Sequence, residues 1–199
     1  MGASYLGIDV GGQRKGFHLA SISPAQPVSD PVNLADVTQV VAYVEQVTPA
    51  VIGIDSPKRC ADPGESSRAD ERQFRSAGIC AIRWTPDEKS VSNGGPYFEW
   101  VRNGLALYRA LGEVIEPDRL VEVFPTAAWT QLYGPKGKRS RSDWSTEALE
   151  AIEVELAPTR RWSQDDRDAI AAAYTALLLG ERPNEVLRFG DLVVPASPV

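Results

Sequence analysis

Two short segments of the chain end alike. Leu6-Gly7-Ile8-Asp9 and Ile52-Gly53-Ile54-Asp55 each close an apolar run with Gly-Ile-Asp. If both runs are strands that lie side by side in parallel, a spacing of about 4.8 Å brings Asp9 and Asp55 together at one edge of the sheet. Two carboxylates that close raise one another's pKa and call for a cation. Gly7 and Gly53 stand two residues back, on the carboxylate side of the sheet, and leave room there for a helix. Asp165 and Asp168 are three apart on one helical face, followed by the small side chains of Ala169, Ala172, Ala173 and Ala176. Four carboxylates then converge. Glu122, inside Val121-Glu122-Val123-Phe124, is a further candidate, because an acid in a buried strand is costly unless paired or ligating a metal. Oxygen-only ligands favour Mg²⁺ or Mn²⁺ over zinc.

Several of these acids have simpler roles open to them. Asp165 and Asp166 follow Ser163 in an expected first helical turn, where the helix dipole stabilises carboxylates and Asp166 completes a capping-box-like pattern. Asp168 lies beyond that turn. Asp9 alone also reads as a turn residue ahead of Gly11-Gly12. His18, the only histidine, has no obvious serine or cysteine partner and is read as structural, and no Gly-x-Ser-x-Gly elbow occurs.

The elements that must position the acids follow from apolar periodicity. Residues 4–10 form a buried strand, and Gly16 to Ile22 its hairpin partner, with a third extended stretch near Val32. Asp36 caps a helix through Val40, Val41, Val44 and Val47 that breaks at Pro49. Ala50 to Ile54 is the fourth strand, joined to the first by a right-handed crossover. Residues 56–118 read as an elaboration of the same domain, with helices at Arg68 to Ser76 and Tyr97 to Val114. Leu120 to Phe124 is the fifth strand. Helical patterns resume at Ser145 to Leu156 and Gln164 to Leu179, and a last strand is expected near Leu192.

Composition bounds the rest. A chain of 199 residues, 43% hydrophobic and 24% charged, suits one folded domain over 1–199. The strongly apolar stretch Ala169 to Leu179 is too short to cross a bilayer, and the N-terminus has no secretory pattern, so a cytoplasmic protein with no membrane partner is expected. Two cysteines and one histidine are too few for the usual structural zinc site. With 21 basic and 27 acidic residues the formal net charge is −6, so any contact with nucleic acid must be local.

The segments GIDVGGQRKGF, IGIDSP, EVFP and DDRDAIAAA, in this order and spacing, resemble the domain of unknown function 429 family, nucleases of ribonuclease H-like fold. The resemblance implies an α/β fold with a central mixed five-stranded sheet, three strands antiparallel and two parallel, flanked by helices, with a helical segment inserted between the fourth and fifth strands. It implies a site built from Asp9, Asp55, Glu122 and Asp168. Asp165 with Asp168 also resembles the paired acids on the last helix of RuvC-type resolvases. Such a cluster would hold Mg²⁺ or Mn²⁺ and hydrolyse phosphodiester bonds of DNA or RNA. Nucleotide phosphotransfer of the actin-like or sugar-kinase type is the alternative, because Gly7 to Gly12 also resembles the first phosphate loop of those enzymes. A non-catalytic binding module on the same fold is the third.

For the substrate, Lys136, Lys138, Arg139 and Arg141, flanked by Tyr133 and Trp144, make a basic loop that would contact a nucleic-acid backbone while the rings stack on bases. Arg68, Arg72 and Arg75 fall on one helical face where they would meet phosphates, or else form a solvated face paired with Asp70 and Glu71.

Overall fold

The structure, a computed structural model, describes residues 2–12 and 14–197. Residues 1, 13, 198 and 199, part of the expected 1–199 domain, lie outside the described residues.

Strands β1 (Tyr5–Val10), β2 (Phe17–Ile22) and β3 (Val32–Leu34) form an antiparallel meander. Helix α1 (Val37–Val47) then crosses over to β4 (Val51–Asp55), which lies parallel to β1. Asp36 caps α1 by accepting from the Gln39 N–H. Four helices follow: α2 (Ala69–Ser76), the short α3 (Glu88–Asn93), α4 (Glu99–Leu111), and, beyond β5 (Leu120–Val123), α5 (Pro125–Tyr133). Then come α6 (Arg141–Ala148), α7 (Gln164–Glu181), β6 (Val186–Phe189) and β7 (Leu192–Pro195). The sheet order is β3-β2-β1-β4-β5-β7-β6.

This corrects the five-strand expectation. Among the described residues the sheet has seven strands, because β7 adds in parallel to β5 and β6 turns back antiparallel on β7, extending the sheet past the strand expected at its edge. The helix expected over Ser145 to Leu156 also differs. It begins at Arg141, capped by Ser140, and ends at Ala148 with a 3-10 turn to Ala151. Beyond that the backbone pairs with Val28, whose N–H donates to the Glu155 carbonyl and whose carbonyl accepts from the Ala157 N–H. Those bonds replace helical ones.

The two faces of the sheet are covered differently. Leu6, Ile8, Leu19, Ile52 and Ile54 pack with Val40 and Val44 of α1 and with Leu107 and Leu111 of α4. The opposite face takes α7, which is buried from Asp166 to Leu178. Its alanines approach where the strands lack side chains. A Cβ on Gly7 would stand 2.0 Å from the Ala169 carbonyl oxygen, and one on Gly53 2.4 Å from that of Ala172. The glycine-against-alanine contact therefore sets how deep α7 sits, and with it the depth of the side chains in its first turns.

Candidate functional site

Register brings the first two acids together. Asp9 of β1 is paired directly with Asp55 of β4, at the strand ends and on the α7 side of the sheet. Each carboxyl group shifts the pKa of the other. Asp9 is only 8% exposed. Burial, then the charges of Asp168 and Asp165, push its pKa up to about 8, against the pull of Lys15. Burial and the charges of Asp9 and Asp168 push Asp55 well above the ordinary range as well, despite the opposing field of Arg141. Two acids raised together in this way favour protonation of the pair unless a cation offsets their charge.

Asp168 reaches the same cleft from α7. Its Oδ2 accepts from Arg141 Nη2 at 2.8 Å, and its Oδ1 from Gln164 Nε2 at 3.0 Å and Trp129 Nε1 at 3.4 Å. Burial raises its pKa against those partners. Asp165 is more exposed and binds Lys15 Nζ at 2.9 Å through both oxygens. Asp166 points elsewhere. It completes a capping box with Ser163 and holds His18 Nδ1 at 2.8 Å and Arg160 Nη1 at 2.6 Å. Burial opposes its ionisation, but Arg160, His18 and Ser163 together hold it well below the usual carboxylate range. His18 is the cross-strand partner of Asp9 and serves that clamp.

Glu122 does not join Asp9 and Asp55. Its register partner is Ile54, so the alternation of side chains sends it to the other face from Asp55. There Arg68 Nη1 and Nη2 each donate to it at 2.6 Å, and the Lys58 N–H adds a bond of 3.0 Å. Arg68 also binds Glu71 through Nε at 2.9 Å. This corrects the expected arginine face. Arg68 precedes the first residue of α2, is 2% exposed, and is occupied by two carboxylates. Burial alone would lower its pKa, but Glu122 and Glu71 outweigh that and keep the guanidinium charged. Arg72 is half exposed and bonds to Ser67, and Arg75 lies 4.9 Å from the Trp84 ring.

The basic loop divides. Lys136 and Arg139 bond to loop carbonyls, and Arg139 also binds Glu147 and lies 4.9 Å from the Tyr133 ring. Lys138 is exposed. Trp144 is buried with its indole N–H on the Gly134 carbonyl, so it offers no free ring. Arg141 alone of the four reaches the acids. Lys15, Gln164 and Trp129, which sequence reasoning missed, hold the outer acids. Lys15 lies in the GIDVGGQRKGF segment, but no local pattern marks the other two as partners of Asp168.

One cleft of about 680 Å³ is lined by Asp9, Asp55, Asp165, Asp168 and Arg141, and also by Glu122 and Arg68. Among the described residues, no group of three or more His, Cys, Asp or Glu already stands in a metal-ligating arrangement. No described helix is long and apolar enough to cross a membrane.

Among solved structures, Thermus thermophilus RuvC is 11% identical, with 90% of this chain and 96% of that chain aligned at a TM-score of 0.47. T. thermophilus RuvC in complex with a Holliday junction substrate is 12% identical, covering 89% and 94% of the two chains at a TM-score of 0.45. No curated protein matches the chain. The family described as "Protein of unknown function (DUF429)" matches residues 7–191, nearly the full length, and the chain belongs to that family.

Proposed function

We propose that the chain is a Mg²⁺- or Mn²⁺-dependent hydrolase of phosphodiester bonds in nucleic acid. The observation that carries this reading is the meeting of Asp9 and Asp55 in register beneath α7, with Asp168 turned into the same cleft. The donors fit a hard divalent cation, since they are carboxylate oxygens. Two acids in register, Asp9 buried and Asp55 partly buried, are also a pair whose charge a cation would satisfy. Such an ion supplies a nucleophile from water at neutral pH and stabilises the leaving oxygen.

The chain's own residues do the rest. Asp9 and Asp55, once deprotonated, would hold the ion at the strand ends. Asp168, oriented by Gln164 and Trp129, completes the set, and Arg141 turns from Asp168 towards a substrate phosphate. Asp165 and Lys15 form an outer pair that sets the local field. We assign Glu122 to anchoring Arg68 rather than to the ion. In this reading residues 1–199 form one ribonuclease H-like domain with 56–118 inserted, and the free thiols of Cys60 and Cys80 suit a cytoplasmic protein.

A cleavage screen supplemented with Mn²⁺ tests the reading on single-stranded, duplex and branched DNA and on RNA, with ATP hydrolysis measured alongside. Cleavage by the wild type that is lost in Asp55→Asn supports it. ATP turnover without cleavage would favour phosphotransfer, and binding without turnover would leave a binding module.

A further inference from the structure

The cleft is also lined by Ile82, Arg83 and Trp100, which belong to the long connection between β4 and β5. The cations bordering the cleft are not alike. Arg68 is occupied by Glu71 and Glu122, Lys15 by Asp165, and Arg141 by Asp168. Arg83 is exposed and, among the described residues, forms no ion pair with a carboxylate. Its guanidinium lies 5.8 Å from the Tyr97 ring centroid, with Nη1 3.5 Å from the Tyr97 hydroxyl. Tyr97 is itself held edge-on by Phe98 at 4.8 Å. Trp100, in the first turn of α4, is half-buried. The cleft thus combines carboxylates with an indole and a guanidinium that no carboxylate neutralises and that an aromatic ring steadies.

We propose that Trp100 and Arg83 bind an unpaired nucleobase of the nucleotide whose phosphodiester lies at Asp9 and Asp55, so that the substrate is single-stranded or locally unpaired. This rests on the nucleic-acid reading of the site. Indole rings and guanidinium planes both accept the π-face of any base. A cleft of about 680 Å³ suits one small ligand group. A continuous duplex keeps its base faces stacked and presents only edges in its grooves. The free charge of Arg83 also attracts the adjoining phosphate, which the carboxylates of the cleft would otherwise repel.

A DNA trinucleotide with central 2-aminopurine, whose fluorescence falls on stacking, tests this with Ca²⁺ in place of Mn²⁺ and oligonucleotide length checked by gel. The wild type should quench the probe. A trinucleotide with an abasic centre should bind roughly 5- to 150-fold more weakly, the equivalent of about 1–3 kcal/mol for one stacked base. Trp100→Ala should show a loss of similar size, and Arg83→Ala, at an exposed position less prone to misfolding, a loss in the same direction. Absence of binding by the wild type, equal affinity for the abasic probe, or quenching retained in both variants would overturn the proposal. Cleavage in the Mn²⁺ screen without quenching in Ca²⁺ would overturn it and leave the hydrolase reading standing. Quenching in Ca²⁺ with no cleavage in the Mn²⁺ screen would keep the base site and remove the hydrolase.

Discussion

Replacing Gly7 by alanine tests whether close approach of α7 builds the site. The added Cβ would lie 2.0 Å from the Ala169 carbonyl oxygen and 2.1 Å from the Ala173 nitrogen, both backbone atoms of a buried helix. Ordinary contact begins near 3.4 Å, so α7 must retreat by about 1.4 Å at that level. Overpacking of this kind costs about 1–3 kcal/mol, and backbone on both sides of the new atom places it near the top of that range. Alanine recovers about 0.5–1 kcal/mol of strand propensity, which leaves a net loss of about 2 kcal/mol. At about 2–4 °C per kcal/mol for a chain of this size, Tm should fall by about 4–8 °C. Ala169 adjoins Asp168, so the same retreat draws Asp168 away from Asp9 and should weaken Mn²⁺ binding in step. Thermal unfolding followed by circular dichroism and Mn²⁺ titration by calorimetry read the two effects. Gly53→Ala, with its nearest approach at 2.4 Å, should lie between wild type and Gly7→Ala. A Gly7→Ala protein with unchanged Tm and unchanged Mn²⁺ affinity would refute the reasoning.

The acids of α7 should separate by assay. Asp166→Asn should cost roughly 1.5–3 kcal/mol in urea unfolding at pH 7, through its charge-assisted bonds to Arg160 and His18, with nuclease turnover largely kept. Asp168→Asn should abolish turnover with a smaller loss of stability, and comparable turnover losses in the two variants would overturn that division. Because the folded pKa of Asp166 is depressed, its contribution is complete above the unfolded value of about 3.9 and is lost as pH falls further. The stability gap between wild type and Asp166→Asn should therefore hold at pH 6 and shrink below about pH 4. Arg141→Gln should lower the slope of log affinity for nucleic acid against log salt by about 0.7 to 0.9, depending on strand form, whereas Arg139→Gln, tied to Glu147 and the loop, should leave it nearly unchanged.

What the sequence made legible was local and periodic. The Gly-Ile-Asp echo placed Asp9 beside Asp55, the glycines two residues back marked the approach of α7, and Ser163 with Asp166 marked its cap. What escaped depends on register and on distant partners. Glu122 looked like one more acid for the cluster, but its position opposite Ile54 rather than beside Asp55 sends it to the other face. Arg68 looked like a helical surface residue because Glu122, 54 positions away, leaves no local mark. Strand β6 is four residues long with two of them exposed, too short to show an alternation of its own. Arg141, one of four cations in an expected loop, is the first residue of α6 and is aimed by the Ser140 cap.

Mn²⁺ titration by isothermal calorimetry, with proton release measured across buffers of different ionisation enthalpy, addresses the central claim most directly. Burial and the neighbouring carboxylates push Asp9 up to about 8 and raise Asp55 as well, so an ion that binds the pair must displace protons. Wild type should bind Mn²⁺ with net release of protons at pH 7 and with affinity that rises with pH. Asp9→Asn should bind at least tenfold more weakly. Equal affinity in the two proteins, or binding without proton release, would contradict a metal centre built on the paired aspartates.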